Sequence, residues 1–299
     1  MTDVFPDPDV LDMGVIMRNV RRLLVAALVV SLSLVAPGAA ATASASPGCG
    51  VRAGSKAVTA AAATTDVWMA GDSTMANPSS TCPVGWATEF DAQFHSNIVV
   101  NNLAVAGRSI QTWLYEGGVT SNKDSAGECV LSSTTPSKNW QKVLDGMKAG
   151  DYLFIQFGIN DGDSACPKHV GGARYQQLMT MMAQTAQARG AFPVLVTPVA
   201  AITCSGSTAT LNRGFYPETF AAGTATGSPV IDLRTLSVNY YNSLGLCPNN
   251  GDYTSGLVGQ FFCNDHTHFE AYGARRIMRL VTGALKAQNI PLAGSLLQQ

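Results

Sequence analysis

Four short segments of this chain carry the residue types that ester hydrolysis requires. Gly71-Asp72-Ser73-Thr74 supplies a serine hydroxyl, and Ala106-Gly107-Arg108-Ser109 supplies a glycine turn. Gly158-Ile159-Asn160-Asp161 supplies an amide, and Asp265-His266-Thr267-His268 places a carboxylate three residues before an imidazole. A serine hydroxyl is a poor nucleophile until an imidazole accepts its proton. The imidazole in turn needs a carboxylate that fixes its tautomer and stabilises the imidazolium. Ser73, His268 and Asp265 fit these three roles. The tetrahedral oxyanion needs preorganised donors, which the backbone N–H groups of Ser73 and Gly107 and the side-chain amide of Asn160 can supply. Asp72 and Asp161 read as supports for the turns around Ser73 and Asn160. Arg108 reads equally well as a contact for a uronic acid and as half of a structural ion pair.

Each segment alone has a plainer use. Gly-Asp-Ser is common in turns, where Asp and Ser bond nearby backbone, and Gly107 can simply provide a left-handed turn. Asp265, His266 and His268 could form a metal trio, but no further His or acidic cluster completes such a site, and His266 reads better as a supporting or structural residue. His95 and His169 carry no motif. Ser109 is not flanked as a nucleophile would be, and no Gly-x-Ser-x-Gly elbow occurs. Trp86, Trp113 and Trp140 could stack on sugars, although core packing is the better reading for each. Trp68 reads as core.

The elements that must position these segments follow from periodicity. Val67–Ala70, Ile98–Val100, Tyr152–Phe157, Val194–Val196 and Val230-Ile231 are short apolar runs whose length and β-branched content favour strands. Tyr175, Leu178, Met179, Met182 and Ala186 fall at helical spacing, as do Gly273, Ile277, Leu280, Val281, Ala284 and Leu285. Strands alternating with amphipathic helices predict an α/β fold with a central parallel sheet covered on both faces. Three of the four segments then follow strand ends, where open α/β sheets bind ligands. Thr267 and Glu270 match a capping box, which predicts His268 in the first turn of the last helix.

Composition bounds the rest. The 299 residues are 46% hydrophobic and 13% charged, with 19 basic and 20 acidic side chains. That apolar share supports a packed core, and without a basic cluster no nucleic-acid partner is expected. Arg18, Arg21 and Arg22 precede an apolar run, Leu23–Ala36, that ends in small residues. This is the pattern of a secretory signal, shorter than the roughly 20 residues of a spanning helix. Residues 1–45 are therefore expected to be an upstream extension plus signal peptide, with translation starting at Met17. Residues 46–64 are expected to be a flexible leader and 65–299 the folded domain, secreted and without a stable membrane anchor. All seven cysteines follow the signal, and export permits disulfides. Positions along the chain suggest Cys166–Cys204, Cys247–Cys263 and Cys82–Cys129, with Cys49 free.

The four segments, in this order, resemble the conserved blocks of the GDSL-type (SGNH) serine hydrolases. Within that superfamily Gly-Asp-Ser-Thr-Met, the segment Asn102–Ser109 and Asp-His-Thr-His-Phe are similar to rhamnogalacturonan acetylesterases. The likeness runs from about Val67 to Leu285; Ser121–Ser137 and Thr203–Thr226 contribute little to it. The resemblance implies a flavodoxin-like three-layer α/β/α fold, a Ser73–His268–Asp265 triad, and no metal or organic cofactor. One residue departs from it, since Ile159 stands where many such acetylesterases carry His. The implied activity is removal of acetyl groups from a plant cell-wall polysaccharide. Two rivals use the same residues: a secreted lipase or phospholipase-like esterase, and a carbohydrate-binding protein with an inactive site. No strongly apolar flap supports the former, and an intact set of triad residues argues against the latter.

Overall fold

The computed structural model describes residues 64–298. The expected signal, the leader to residue 63 and Cys49 lie outside the described residues. Nine strands and seven α-helices are described, in the chain order β1 (Thr65–Gly71), β2 (Ile98–Asn102), α1 (Ile110–Tyr115), β3 (Val119–Lys123), β4 (Cys129–Leu131), α2 (Lys138–Gly146), β5 (Tyr152–Gln156) and α3 (Gly172–Ala188). They continue as β6 (Phe192–Val196), β7 (Cys204–Ser205), β8 (Thr208–Ala209), α4 (Tyr216–Thr226), β9 (Val230–Ile231), α5 (Leu233–Ser243), α6 (Gly256–Phe261) and α7 (Ala271–Ala287).

Each of the five apolar runs forms a strand of one parallel sheet, ordered β2-β1-β5-β6-β9. Successive side chains on a strand point to opposite faces, and the two cores divide accordingly. Val67, Met69, Tyr152, Phe154, Val194, Val196 and Ile231 join the core built with α5, α6 and α7. Trp68, Ala70, Leu153, Ile155 and Leu195 join the core built with α1, α2 and α3. The result is a flavodoxin-like three-layer α/β/α sandwich. The predicted apolar faces of α3 and α7 are the buried ones, except that Leu280 is only half-buried. Trp86, Trp113 and Trp140 are 1%, 2% and 3% exposed, so they pack in the interior and present no platform to a sugar.

In this strand order the chain moves outward from β1 to β2, then returns to place β5 on the other side of β1. The crevice beyond the carboxyl ends of β1 and β5 is therefore the switch point, where doubly wound sheets bind ligands. The two stretches that contribute little to the resemblance hold most of the small antiparallel hairpin β3–β4 and all of β7–β8.

The disulfide pairing differs from the sequence expectation at every bond. The structure pairs Cys82 with Cys263, Cys129 with Cys166, and Cys204 with Cys247, at Cα separations of 6.1, 5.6 and 5.6 Å. Cys82 lies beside the segment before α7, where the N–H of Val84 donates to the carbonyl of Phe269 at 2.9 Å. Cys129 begins β4, near the carbonyl of His169. Proximity along the chain is a poor guide here because each bond joins segments on opposite sides of at least one sheet strand or helix.

At the opposite end of the sheet, buried Asp151 precedes β5 and binds four donors. Oδ1 accepts from the N–H of Asp66 at 2.9 Å and from Lys148 Nζ at 3.0 Å. Oδ2 accepts from the N–H of Lys148 at 2.9 Å and from Trp68 Nε1 at 3.2 Å. Burial alone would raise its pKa, but these donors hold the carboxyl below its ordinary value. The folded state thus binds this proton less tightly than the unfolded chain. The stabilisation is complete above the ordinary carboxylate range and disappears as pH falls through the depressed native value. Asp151→Asn is expected to lower unfolding free energy by about 2–3 kcal/mol at neutral pH, read from urea denaturation, with the gap to wild type closing in acid.

Candidate active site

The turn after β1 carries Ser73, 7% exposed, at the mouth of the crevice. Asp72 shapes it from within, with Oδ1 accepting from the N–H of Thr74 at 2.9 Å and from Thr74 Oγ1 at 2.8 Å. Burial pushes the Asp72 carboxyl above its usual value against those two bonds, and Oδ2 is buried without a partner. A polar chain continues beneath the turn. Gln156 Nε2 donates to Thr74 Oγ1 at 2.9 Å, and Trp86 Nε1 donates to Gln156 Oε1 at 2.6 Å. Sequence reasoning missed Thr74 and Gln156; the available signal was an amide closing the otherwise apolar run Tyr-Leu-Phe-Ile of β5.

His268 reaches Ser73 from the far end of the chain, with Nε2 2.9 Å from Ser73 Oγ. Its Nδ1 lies 2.8 Å from Asp265 Oδ2. Ionised Asp265 accepts the Nδ1 proton, which leaves Nε2 as acceptor for the serine hydroxyl. Asp265 Oδ1 accepts from the N–H groups of Thr267 and His268, both at 2.7 Å. Burial raises the Asp265 pKa, but the donors of His268 and Thr267 outweigh it and hold the carboxyl below its ordinary range. The same two bonds replace the expected capping box. α7 begins only at Ala271 with Glu270 as its N-cap and no side-chain cap, so His268 lies in a turn before the helix, organised by Asp265.

The proposed oxyanion donors come from three strand-end loops. Among the described residues, no acceptor takes the backbone N–H of Ser73 or Gly107. Gly107 has φ of +75°, a conformation that favours glycine, and so turns the chain sharply before α1. Asn160 Nδ2 donates one hydrogen to the carbonyl of Arg108 at 3.1 Å, which orients the amide and leaves its second N–H available. Asp161 ties the two loops together, accepting from the N–H of Ile110 and that of Gly158, each at 2.8 Å. N–H donors left unpaired in strand-end loops beside a serine–imidazole pair can stabilise charge that develops on a carbonyl oxygen.

The remaining sequence candidates sit elsewhere. The Arg108 guanidinium pairs with Glu116 on the surface, so only its backbone carbonyl takes part in the site. Ser109 is fully buried and caps α1. His266 is exposed, 6.1 Å from the Tyr253 ring, and its carbonyl accepts from the N–H of Ile202 at 2.9 Å. His169 Nδ1 lies 2.7 Å from the Asp163 carbonyl. Ile159 is half-buried beside Asn160. The clustering of Cys82, Cys263 and Glu270 offers no ligand set, since the two sulfurs bond each other.

No family model matches the chain. The crystal structure of protein YxiM from Bacillus subtilis superposes with a TM-score of 0.58 at 26% identity, covering 76% of this chain and 57% of that one. This fold and these four segments at one crevice are similar to those of SGNH (GDSL-type) hydrolases, and the chain is a carboxylic ester hydrolase. It is similar to the rhamnogalacturonan acetylesterase RhgT of Bacillus subtilis, at 28% identity over 248 residues, 78% of this chain and 94% of that protein. It is also 26% identical over 234 residues to the rhamnogalacturonan acetylesterase of Emericella nidulans, covering 70% of this chain and 79% of that one.

The Asp161 clamp generates a pH-dependent prediction. Burial, assisted by the negative charge of Asp72, pushes its carboxyl up to about 7 despite the two backbone donors. The native state therefore binds the proton more tightly than the unfolded chain, and this contribution to stability falls as pH rises from about 4 to about 7. In Asp161→Asn that slope is expected to vanish. The variant also turns an NH2 group toward one of the backbone donors, at a cost of about 1–3 kcal/mol. Urea denaturation of both proteins at pH 5 and pH 8 measures each effect.

Proposed function

We propose that the protein is a secreted serine esterase that removes acetyl groups from rhamnogalacturonan-type pectin. The observation that carries this reading is the continuous Asp265–His268–Ser73 relay, with contacts of 2.8 and 2.9 Å. The names of the curated relatives supply the acetyl and pectic parts of the reading. The Arg-flanked apolar run at the N-terminus and three disulfides are in keeping with export.

In the proposed cycle, Ser73 Oγ attacks the acetyl carbonyl carbon while its proton passes to His268 Nε2. Negative charge on the former carbonyl oxygen is met by the N–H groups of Ser73 and Gly107 and the amide of Asn160. The carbon–oxygen bond to the sugar then breaks, and His268 returns the proton to the departing sugar oxygen. This leaves acetyl on Ser73. A water molecule, deprotonated by His268, attacks the acetyl-enzyme; acetate leaves and Ser73 regains its proton. Asp265 stays ionised throughout and stabilises the imidazolium.

Acetate release from acetylated rhamnogalacturonan, acetylated xylan and a short-chain aryl ester tests the proposal. The pectic substrate is expected to react best, and activity on aryl esters to fall steeply with acyl length; a preference for long chains would instead identify a lipase-like esterase. Ser73→Ala is expected to reduce kcat on the order of 10⁶-fold, and Asp265→Asn about 10⁴-fold. Undiminished turnover in Ser73→Ala would remove the triad.

A further inference from the structure

A cavity of about 530 Å³ adjoins Asn160. Ile159 and Phe215 give it apolar walls, Thr203 and His266 give it polar ones, and Arg213 enters from the loop between β8 and α4. Arg213 is held there against local preference. Its φ is +88°, in the left-handed region that a residue with a β-carbon adopts at a cost. The neighbouring Asn212 fixes the loop by accepting from the N–H of Ala201 at 2.9 Å and donating to the Ala201 carbonyl at 2.8 Å. Arg234 donates to the Arg213 carbonyl at 3.3 Å.

The guanidinium is incompletely used. Nη2 donates to Thr267 Oγ1 at 2.8 Å, next to His268, while Nε is buried with no acceptor. Asp72 and Asp265 act on it only through space. A guanidinium carries five N–H donors in a plane suited to a carboxylate, and a buried charged donor without an acceptor is costly. The cavity wall also bears Asp163, whose Oδ1 accepts from the N–H of Ala165 at 2.9 Å. Among the described residues lining the cavity, Arg213 is the one permanently charged cation. Arg108, the cation that sequence reasoning offered for a uronic acid, is paired with Glu116.

We propose that this cavity is a subsite for a sugar bearing a carboxylate, and that Arg213 binds that carboxylate while the acetyl group lies at Ser73. This rests on the pectic esterase reading above and names the residue that makes the enzyme selective for an acidic sugar. Arg213 binds the anion beside the reacting centre and takes no part in bond making.

The experiment compares one acetylated rhamnogalacturonan oligosaccharide as free acid and as methyl ester, which differ in charge and not in the scissile acetyl group. Wild type is expected to favour the free acid in kcat/KM by about 10- to 100-fold, the range of a charge-assisted hydrogen bond. Arg213→Gln is expected to bring the ratio close to one and Arg213→Lys to restore part of it. Because the ratio is taken within each variant, a general loss of activity from disturbing Thr267 cancels. Equal rates on acid and ester by wild type would overturn the subsite and leave the pectic reading standing. Hydrolysis of an aryl acetate with neither oligosaccharide cleaved would overturn the pectic reading, and the subsite with it. A ratio unchanged in Arg213→Gln would place the acid preference on another residue and discard the proposal.

Discussion

A contact of 2.9 Å between Ser73 Oγ and His268 Nε2 joins residues separated by 195 positions, and the architecture can be understood as the means of holding that distance. A serine placed on a flexible turn would sample many rotamers, and the imidazole would meet it only part of the time. Here the Ser73 turn grows directly out of an inner strand and rests on the buried chain Asp72–Thr74–Gln156–Trp86. The imidazole is oriented by Asp265, whose two oxygens serve two backbone N–H groups and the ring. Neither side of the contact depends on a long side chain finding its place unaided.

The sheet topology explains why the donors arrive from separate loops. Reversal of winding at β1 leaves the carboxyl ends of β1, β2 and β5 open to one crevice, and each strand delivers one turn. Loops converging this way bring backbone donors and acceptors that no regular ladder satisfies. Asp161 answers for Ile110 and Gly158, and Asn160 for the carbonyl of Arg108. The groups left unsatisfied, the N–H groups of Ser73 and Gly107 and one hydrogen of the Asn160 amide, belong to these same loops. Local polar accounting and the capacity to hold an oxyanion are thus two aspects of one arrangement.

Most of this fold was legible in the sequence because the inner strands β1, β5 and β6, buried on both faces, read as apolar runs, the edge strands β2 and β9 carry short ones, and α3 and α7 carry sustained helical periodicity. The hairpins β3–β4 and β7–β8 were not, since their residues are mostly polar and exposed and follow neither period. At the site, the segments around Ser73, Gly107, Asn160 and His268 announced themselves because turn chemistry and reactive side chains coincide there. Gln156 gave only the weak signal of an amide closing an apolar run and Arg213 gave none; their partners lie tens of residues away. The apparent capping box at Thr267 misled for a physical reason. Asp265 captures the N–H groups of Thr267 and His268 before a helix can form around them. Cysteine pairing was illegible because sequence spacing carries no information about which crossover returns to which edge.

The Cys82–Cys263 bond encloses 181 residues of separation, with Ser73 shortly before one end and Asp265 and His268 just after the other. While that bond is oxidised, a single cut in any surface loop between them leaves two fragments still covalently joined beside the site. Reassembly of the cut chain is then an intramolecular event with an effective concentration, independent of dilution. The covalent link thereby separates the continuity of the backbone from the continuity of the site. A polypeptide interrupted in its middle can keep both ends of its chemistry in one molecule.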